Sequence, residues 1–351
     1  MINDDIKNQQ AGDNSTNYQA QNLTVVNQMI PLEYINAICE KIVENNMIKY
    51  TSEAEATSIQ RFNEFKTLYI GEVSKQKEEI IEELTDKFKE PSMQDAFFQA
   101  QKGYTKYGDK EKAEKLVQLL IEKGKQDTGS LKDILLDEAI EKLSKLTNNQ
   151  LNILSYLTSI TINHPSKNLD DFHQNYINVL LQFYHLINLD RLSADIQYLM
   201  QLGCIRQISF AQDENKIIKQ IVENYAGLFA AGFDRQEFEK EYGAVATRDI
   251  VIPCLTNNSL VQISALNRKV LEDIYSKMNI TQYQRDTLNK FYDRLLPNER
   301  ISEILKQMES NMVELLDNKN QINNLELMPL GTLIGIKNYE VVLKTTVQWE
   351  L

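Results

Sequence analysis

The chain has 351 residues, 42% hydrophobic and 25% charged, with a net charge of −12 and only 12 Gly and 6 Pro. This composition predicts a soluble globular protein built of long helices. It opposes the basic surface that a nucleic-acid binder needs, and no run of 18 apolar residues is present to cross a membrane.

In chain order, the opening MINDDIKNQQ is polar and acidic and does not read as a secretory signal, so a cytoplasmic location is expected. The next stretch, Ala11–Val26 (AGDNSTNYQAQNLTVV), carries no charge after Asp13 and is dense in Asn, Gln, Ser and Thr. Thr16, Tyr18 and Ala20 alternate with polar residues, and Leu23 and Val25 alternate in the opposite phase. This predicts two short strands with a bulge near Gln21 and Asn22. Such strands bury too little to stand alone. An uncharged edge without blocking Lys or Pro pairs with another edge. Residues 1–30 are therefore expected to assemble the chain into a symmetric homo-oligomer through 11–26, with Asn14, Tyr18, Gln19, Leu23 and Val25 at the interface. The alternatives are an edge strand added to the chain's own C-terminal sheet and a polar tail without fixed structure.

Residues 31–146 read as an irregular helical bundle. Pro31 suits a first helical turn, followed by Leu32, Ile35, Ile38, Cys39, Ile42 and Val43 at helical spacing. One long helix is expected over Glu53–Lys89, with a stripe through Ile59, Phe62, Phe65, Tyr69, Val73, Ile80, Leu84 and Phe88. It would span about 50 Å. Pro91 is expected to stop it and Ser92 to cap the next helix. Gly108 and Asp109 then make a turn into a helix over Lys110–Lys123, and Ser130 opens another. No pattern recurs at a fixed period, which argues against a repeat array.

Residues 147–351 predict a winged-helix-like α+β region with a helical insertion and a small C-terminal β element. Asn148 or Asn149 caps a first helix, Asp170 or Asp171 starts a second, and Ser193 caps a third that ends at Gly203, where a left-handed residue is wanted. Cys204–Phe210 looks extended. The three helices followed by Leu-Gly-Cys-Ile and a strand resemble a winged helix. Two stretches could pair with that strand: Leu260–Ile263 and Leu325–Gly331 (LELMPLG), each running into a helix. Between Phe210 and Leu325 lie helical stretches at Asn215–Gly232, Arg235–Tyr242, Gln282–Leu296 and Asn298–Asn318. Tyr339–Leu351 has strand-like density and is expected to close a small sheet. The fold class is mainly α.

No local pattern announces chemistry. His164, His173 and His185 are 9 and 12 residues apart, and Cys39, Cys204 and Cys254 match no zinc spacing. No nucleophile elbow and no phosphate-binding glycine loop occurs. Glu78, Glu79, Glu82 and Glu83 fit the solvated face of a helix. No catalytic residue, metal or cofactor is assigned. Tyr104, Tyr107, Tyr176, Phe183 and Tyr184 recur at helical intervals and fit core packing. The third helix of the winged-helix-like unit carries Asp195, Gln197 and Gln201 with no basic residue, so it is expected to pack rather than to read DNA.

Three segments, GDNSTNYQAQNLTV, MQDAFFQAQKGYTKYGDKE and LELMPLGTLIGI, together resemble an uncharacterised family of bacterial helical proteins of this length. The first is similar to segments that precede signalling and phage-defence domains, and the last is similar to the C-terminal end of an abortive-infection family. The resemblance implies an oligomeric interaction or sensor module in anti-phage defence, with a phage or host protein as partner. The alternative is an enzyme, a nuclease or hydrolase, whose site is assembled from residues distant in sequence.

Overall fold

The structure is a computed structural model and describes residues 30–46, 52–208, 215–243, 250–278, 280–317 and 320–347. Ala11–Val26, and with it Asn14, Tyr18, Gln19, Leu23 and Val25, lies outside the described residues. The fold is mainly α, as the composition requires. Among the described residues, no helix is long and apolar enough to cross a membrane.

The bundle opens with α1 (Ile30–Asn46), which buries Ile35, Cys39 and Ile42 at helical spacing. The long helix expected over Glu53–Lys89 is instead two, α2 (Ser52–Val73) and α3 (Glu78–Lys87). Ser74 Oγ donates to the Gly71 carbonyl at 2.9 Å and Gln76 Nε2 to that of Glu72 at 3.4 Å, so side chains satisfy carbonyls that the ended helix leaves open. The break turns α3 back against α1 and α5, and Val73, Leu84 and Phe88 enter one core. An unbroken rod would carry the second half of the stripe away from that core.

Pro91 does not stop a helix but opens one. In α4 (Pro91–Tyr107) Glu90 is the N-cap and Ser92 lies inside, because proline's missing N–H is one the first turn leaves unpaired anyway. Gly108 ends α4 in the left-handed region at φ 68°, and Arg61 Nη1 donates to the Thr105 carbonyl at 2.9 Å. Asp109 caps α5 (Lys110–Gly124) and Ser130 caps α6 (Leu131–Leu143).

The region expected to resemble a winged helix starts with α7 (Asn148–Thr161), capped by Thr147 and Gln150 in a reciprocal capping box rather than by an asparagine. Asn168 caps α8 (Leu169–Phe172), which runs through a π turn into α9 (Asn178–His185). A 3-10 turn over Leu189–Arg191 leads into α10 (Leu192–Gln201), so Ser193 is not its cap. Gly203 follows with φ 72°. Strand β1 (Ile205–Gln207) pairs antiparallel with β4 (Leu325–Leu327), Ile205 opposite Leu327 and Gln207 opposite Leu325. Of the two candidate stretches, LELMPLG is thus the one that pairs with β1. The other candidate forms a separate hairpin of β2 (Val251–Pro253) with β3 (Val261–Ile263).

Residues between β1 and β4 form the insertion: α11 (Lys216–Tyr225), α12 (Arg235–Tyr242), the β2–β3 hairpin, α13 (Arg268–Met278), α14 (Gln282–Tyr292), α15 (Asn298–Met308) and α16 (Met312–Leu315). Part of it encloses a second core around Phe233, Phe238, Leu271, Leu288 and Phe291. The main core runs from Ile35 to Tyr339 and includes both Leu146 and Leu151, the two sides of the boundary suggested at residue 147.

The expected C-terminal strand begins inside a helix. Tyr339–Leu343 closes α17 (Pro329–Leu343), which ends at Lys344 in the left-handed region. Here tertiary packing overrides the β propensity of Val341 and Val342. α17 lies against α7, α6 and α5, and buried backbone groups there must pair within the segment. Two glycines allow the approach. A Cβ at Gly335 would stand 2.4 Å from Thr158 Oγ1 and 2.9 Å from the Leu154 carbonyl oxygen, and one at Gly331 would stand 1.9 Å from the Cys204 carbonyl oxygen.

Candidate functional site

Where the end of α17 meets α5, the first turn of α6, the end of α2 and α13, the surface opens into a cleft of about 1040 Å³. Its floor is a buried charge network. Lys337 Nζ lies 2.6 Å from Glu122 Oε2 and 2.9 Å from Glu340 Oε2. Lys132 Nζ lies 3.1 Å from Glu122 Oε1, and the Val347 backbone N–H donates to Glu340 Oε1 at 2.9 Å. The Lys337, Glu122 and Glu340 side chains are 10, 16 and 7% exposed.

Buried ions persist only where partners offset the loss of water, and here they do. Burial pushes the Glu122 carboxyl up, but Lys337 and Lys132 outweigh it and hold the group below its ordinary value. Burial pulls the Lys337 amine down, and Glu122 and Glu340 outweigh that and hold it above its ordinary value. The floor is charged in both senses and internally neutralised.

The walls differ from the floor. Lys125, just past α5, is exposed and meets Gln76 Oε1 at 3.4 Å. Lys269, on α13, is exposed and has no carboxylate within ion-pair reach among the described residues. Glu72, the remaining acid of the lining, is engaged by Lys75 at 2.5 Å. Gln118 holds a buried side-chain oxygen with no donor among the described residues.

Residues singled out by type do not gather here. His164 Nε2 lies 2.9 Å from the Tyr339 hydroxyl, and its backbone N–H donates to Tyr225 Oη at 2.7 Å. Burial holds its imidazole below the ordinary value. His173 lies in the π turn and His185 ends α9. All three thiols are buried, and burial pushes that of Cys204 up to about 11. Among the described residues, no three His, Cys, Asp or Glu side chains converge as metal ligands. Glu78, Glu79, Glu82 and Glu83 are exposed. Of the aromatic residues, Tyr104, Tyr176, Phe183 and Tyr184 are buried, whereas Tyr107 is 53% exposed.

On α10, Asp195 is buried and accepts from Asn149 Nδ2 at 2.6 Å and Gln150 Nε2 at 2.7 Å, which ties the helix to α7. Gln197 and Gln201 face solvent, and Arg206 beyond the helix is paired with Glu326. The helix that would enter a DNA groove thus offers a neutral face.

The cleft residues escape sequence reasoning because Glu122 and Lys337 lie far apart in the chain. One signal was present: Lys337 and Glu340 interrupt an otherwise apolar helical run, TLIGIKNYEVVL. Charges at such positions need partners.

A protein-family model described as ":-like" matches residues 30–350, beginning after the Ala11–Val26 stretch. No curated protein and no solved structure matches the chain.

Proposed function

Given that the chain belongs, over residues 30–350, to the family described as ":-like", we propose that it works as an oligomeric sensor and interaction module in bacterial anti-phage defence, with the cleft as its sensing site. The observation that carries this reading is the charge network on the cleft floor. It joins α5 of the bundle to α17 of the winged-helix-like unit through Glu122 and Lys337. A ligand that alters this network acts on both regions at once, which is what a sensor requires. The neutral face of α10 supports a packing role for the unit, with a phage or host protein rather than nucleic acid as partner. The defence setting rests on the sequence resemblance at the two ends of the chain. Assembly rests on the alternation and open edge of residues 11–26, in a protein proposed to be cytoplasmic.

Two experiments test this. Phage plating efficiency on a bacterial host is expected to fall when the full chain is expressed with its neighbouring genes, and to recover with Lys337→Met. Equal plating with and without the wild-type chain across a broad phage panel counts against the defence setting. Light scattering is expected to give a mass above monomer for the full chain and a monomer for a chain starting at Gln28. Equal masses for the two remove residues 11–26 as the assembly device.

A further inference from the structure

We infer that the cleft binds a small phosphate-bearing ligand that also carries a hydroxyl or N–H donor, a sugar phosphate or nucleotide in chemical class. This rests on the reading of the cleft as a sensing site and names what it senses. In a chain of net charge −12, the lining sets four lysines against three glutamates. The balance is uneven by position. The floor glutamates are already saturated by Lys337 and Lys132, so they neither attract a cation nor strongly repel an anion. Among the described residues, the lining lysines without a carboxylate partner stand on the walls, Lys125 from the α5 side and Lys269 on α13.

Two separated lysines suit an anion with several oxygens, because an ammonium binds phosphate as a point charge and needs no planar, two-pronged partner. The volume, about 1040 Å³, lies at the upper end of small-molecule sites. It leaves room beyond the phosphate for the rest of a nucleotide. The Gln118 oxygen, buried and without a donor, is an acceptor awaiting one. Leaving such a group unmet has a cost that a ligand hydroxyl or N–H removes.

Isothermal titration calorimetry on the full chain tests the assignment, with ATP, ribose 5-phosphate, pyrophosphate and unphosphorylated ribose as probes. Saturable binding is expected for ATP or ribose 5-phosphate and none for ribose. The better of the two phosphorylated probes tells nucleotide from sugar phosphate. The double variant Lys125→Ala/Lys269→Ala is expected to weaken that binding at least tenfold. Gln118→Leu should weaken it several-fold while leaving pyrophosphate unchanged. Lys145→Ala, an exposed lysine paired with Glu141 outside the cleft, controls for nonspecific charge. The inference is overturned if no phosphorylated probe binds, or if the double variant binds as the wild type does while both keep the same circular dichroism. Its failure is distinct from that of the sensor reading. If no phosphorylated probe binds yet Lys337→Met, with the circular dichroism of the wild type, still abolishes protection in plating, the ligand class is wrong and the sensor stands. Lysine-dependent binding combined with unchanged plating of Lys337→Met keeps the ligand class and removes the sensor.

Discussion

The main core and the small core of the insertion keep their charges in opposite ways. In the main core, two lysines are taken inside with their partners: Lys337 with Glu122 and Glu340, and Lys123 with Asp133 at 2.5 Å and Asp137 at 2.9 Å. In the small unit, the ions stay on the rim. Arg294 pairs with Glu237 at 2.7 Å and lies 4.1 Å from the Phe291 ring centroid, Lys290 pairs with Glu241 at 2.7 Å, and Arg268 covers the Tyr292 ring at 5.0 Å. Exposed pairs contribute little and weaken in salt, whereas a buried pair is silent until one member is lost. The two regions should therefore fail under different insults.

The largest effect is expected from Lys337→Ala. It leaves Glu122 and Glu340 buried with part of their compensation gone, a loss of about 3–5 kcal/mol. Urea unfolding followed by circular dichroism measures it. A loss no larger than that of a surface substitution would show that water enters the cleft floor and does the work of the lysine.

Acid should act next, and on the same region. The Glu122 carboxyl is held below its ordinary value in the folded chain, so its contribution is fully present above that ordinary value. The contribution is lost as pH falls through the lower, folded value. Urea midpoints are expected to drop as pH is lowered from neutrality into that window. Glu122→Gln should lower the midpoint at neutral pH and flatten that part of the slope. An unchanged slope would assign the acid sensitivity to other carboxylates.

The smallest effect is expected at the rim of the insertion. Arg268→Gln removes a pair with Asp293 and a contact with the Tyr292 ring, and should cost about 1 kcal/mol or less. Raising salt to about 0.5 M should reduce amide protection in α12 and α14 while leaving α7 unchanged, as read by hydrogen exchange. Equal responses in the two regions would erase the distinction between them.

What the sequence makes legible follows the same division. Stripes at helical spacing place the buried residues of α1 and α2, and turn chemistry places Gly108, Asp109, Ser130 and Gly203. Those are local choices, made by residues within a few positions of one another. The split of the expected long helix was not legible, because Gly71 and Ser74 tolerate a helix locally and only packing of α3 against α1 and α5 decides. Nor was the fate of Tyr339–Leu343: two adjacent valines read as strand, and only the packing of α17 against α7 and α6 makes the segment helical. The partner of β1 lay between two similar stretches, and only the pairing with β4 decides between them. The cleft was least legible, since only Lys337 and Glu340 stand close in the chain and the pairs of Glu122 with Lys132 and Lys337 cross between helices.

The insertion also imposes an order of events on a chain as it leaves the ribosome. Arg206 of β1 must wait for Glu326 of β4, 120 positions later. At about 5–20 residues per second that is roughly 6–24 s of synthesis. During this interval α1 to α6 are complete, yet α17, which packs on α5 and α6, does not exist. Glu122 is then open to solvent without Lys337, and α7 exposes the face that Gly335 will later meet. The newborn chain therefore passes through a stage in which α5 and α6 are uncovered, and α17, made much later, is the helix that closes over them.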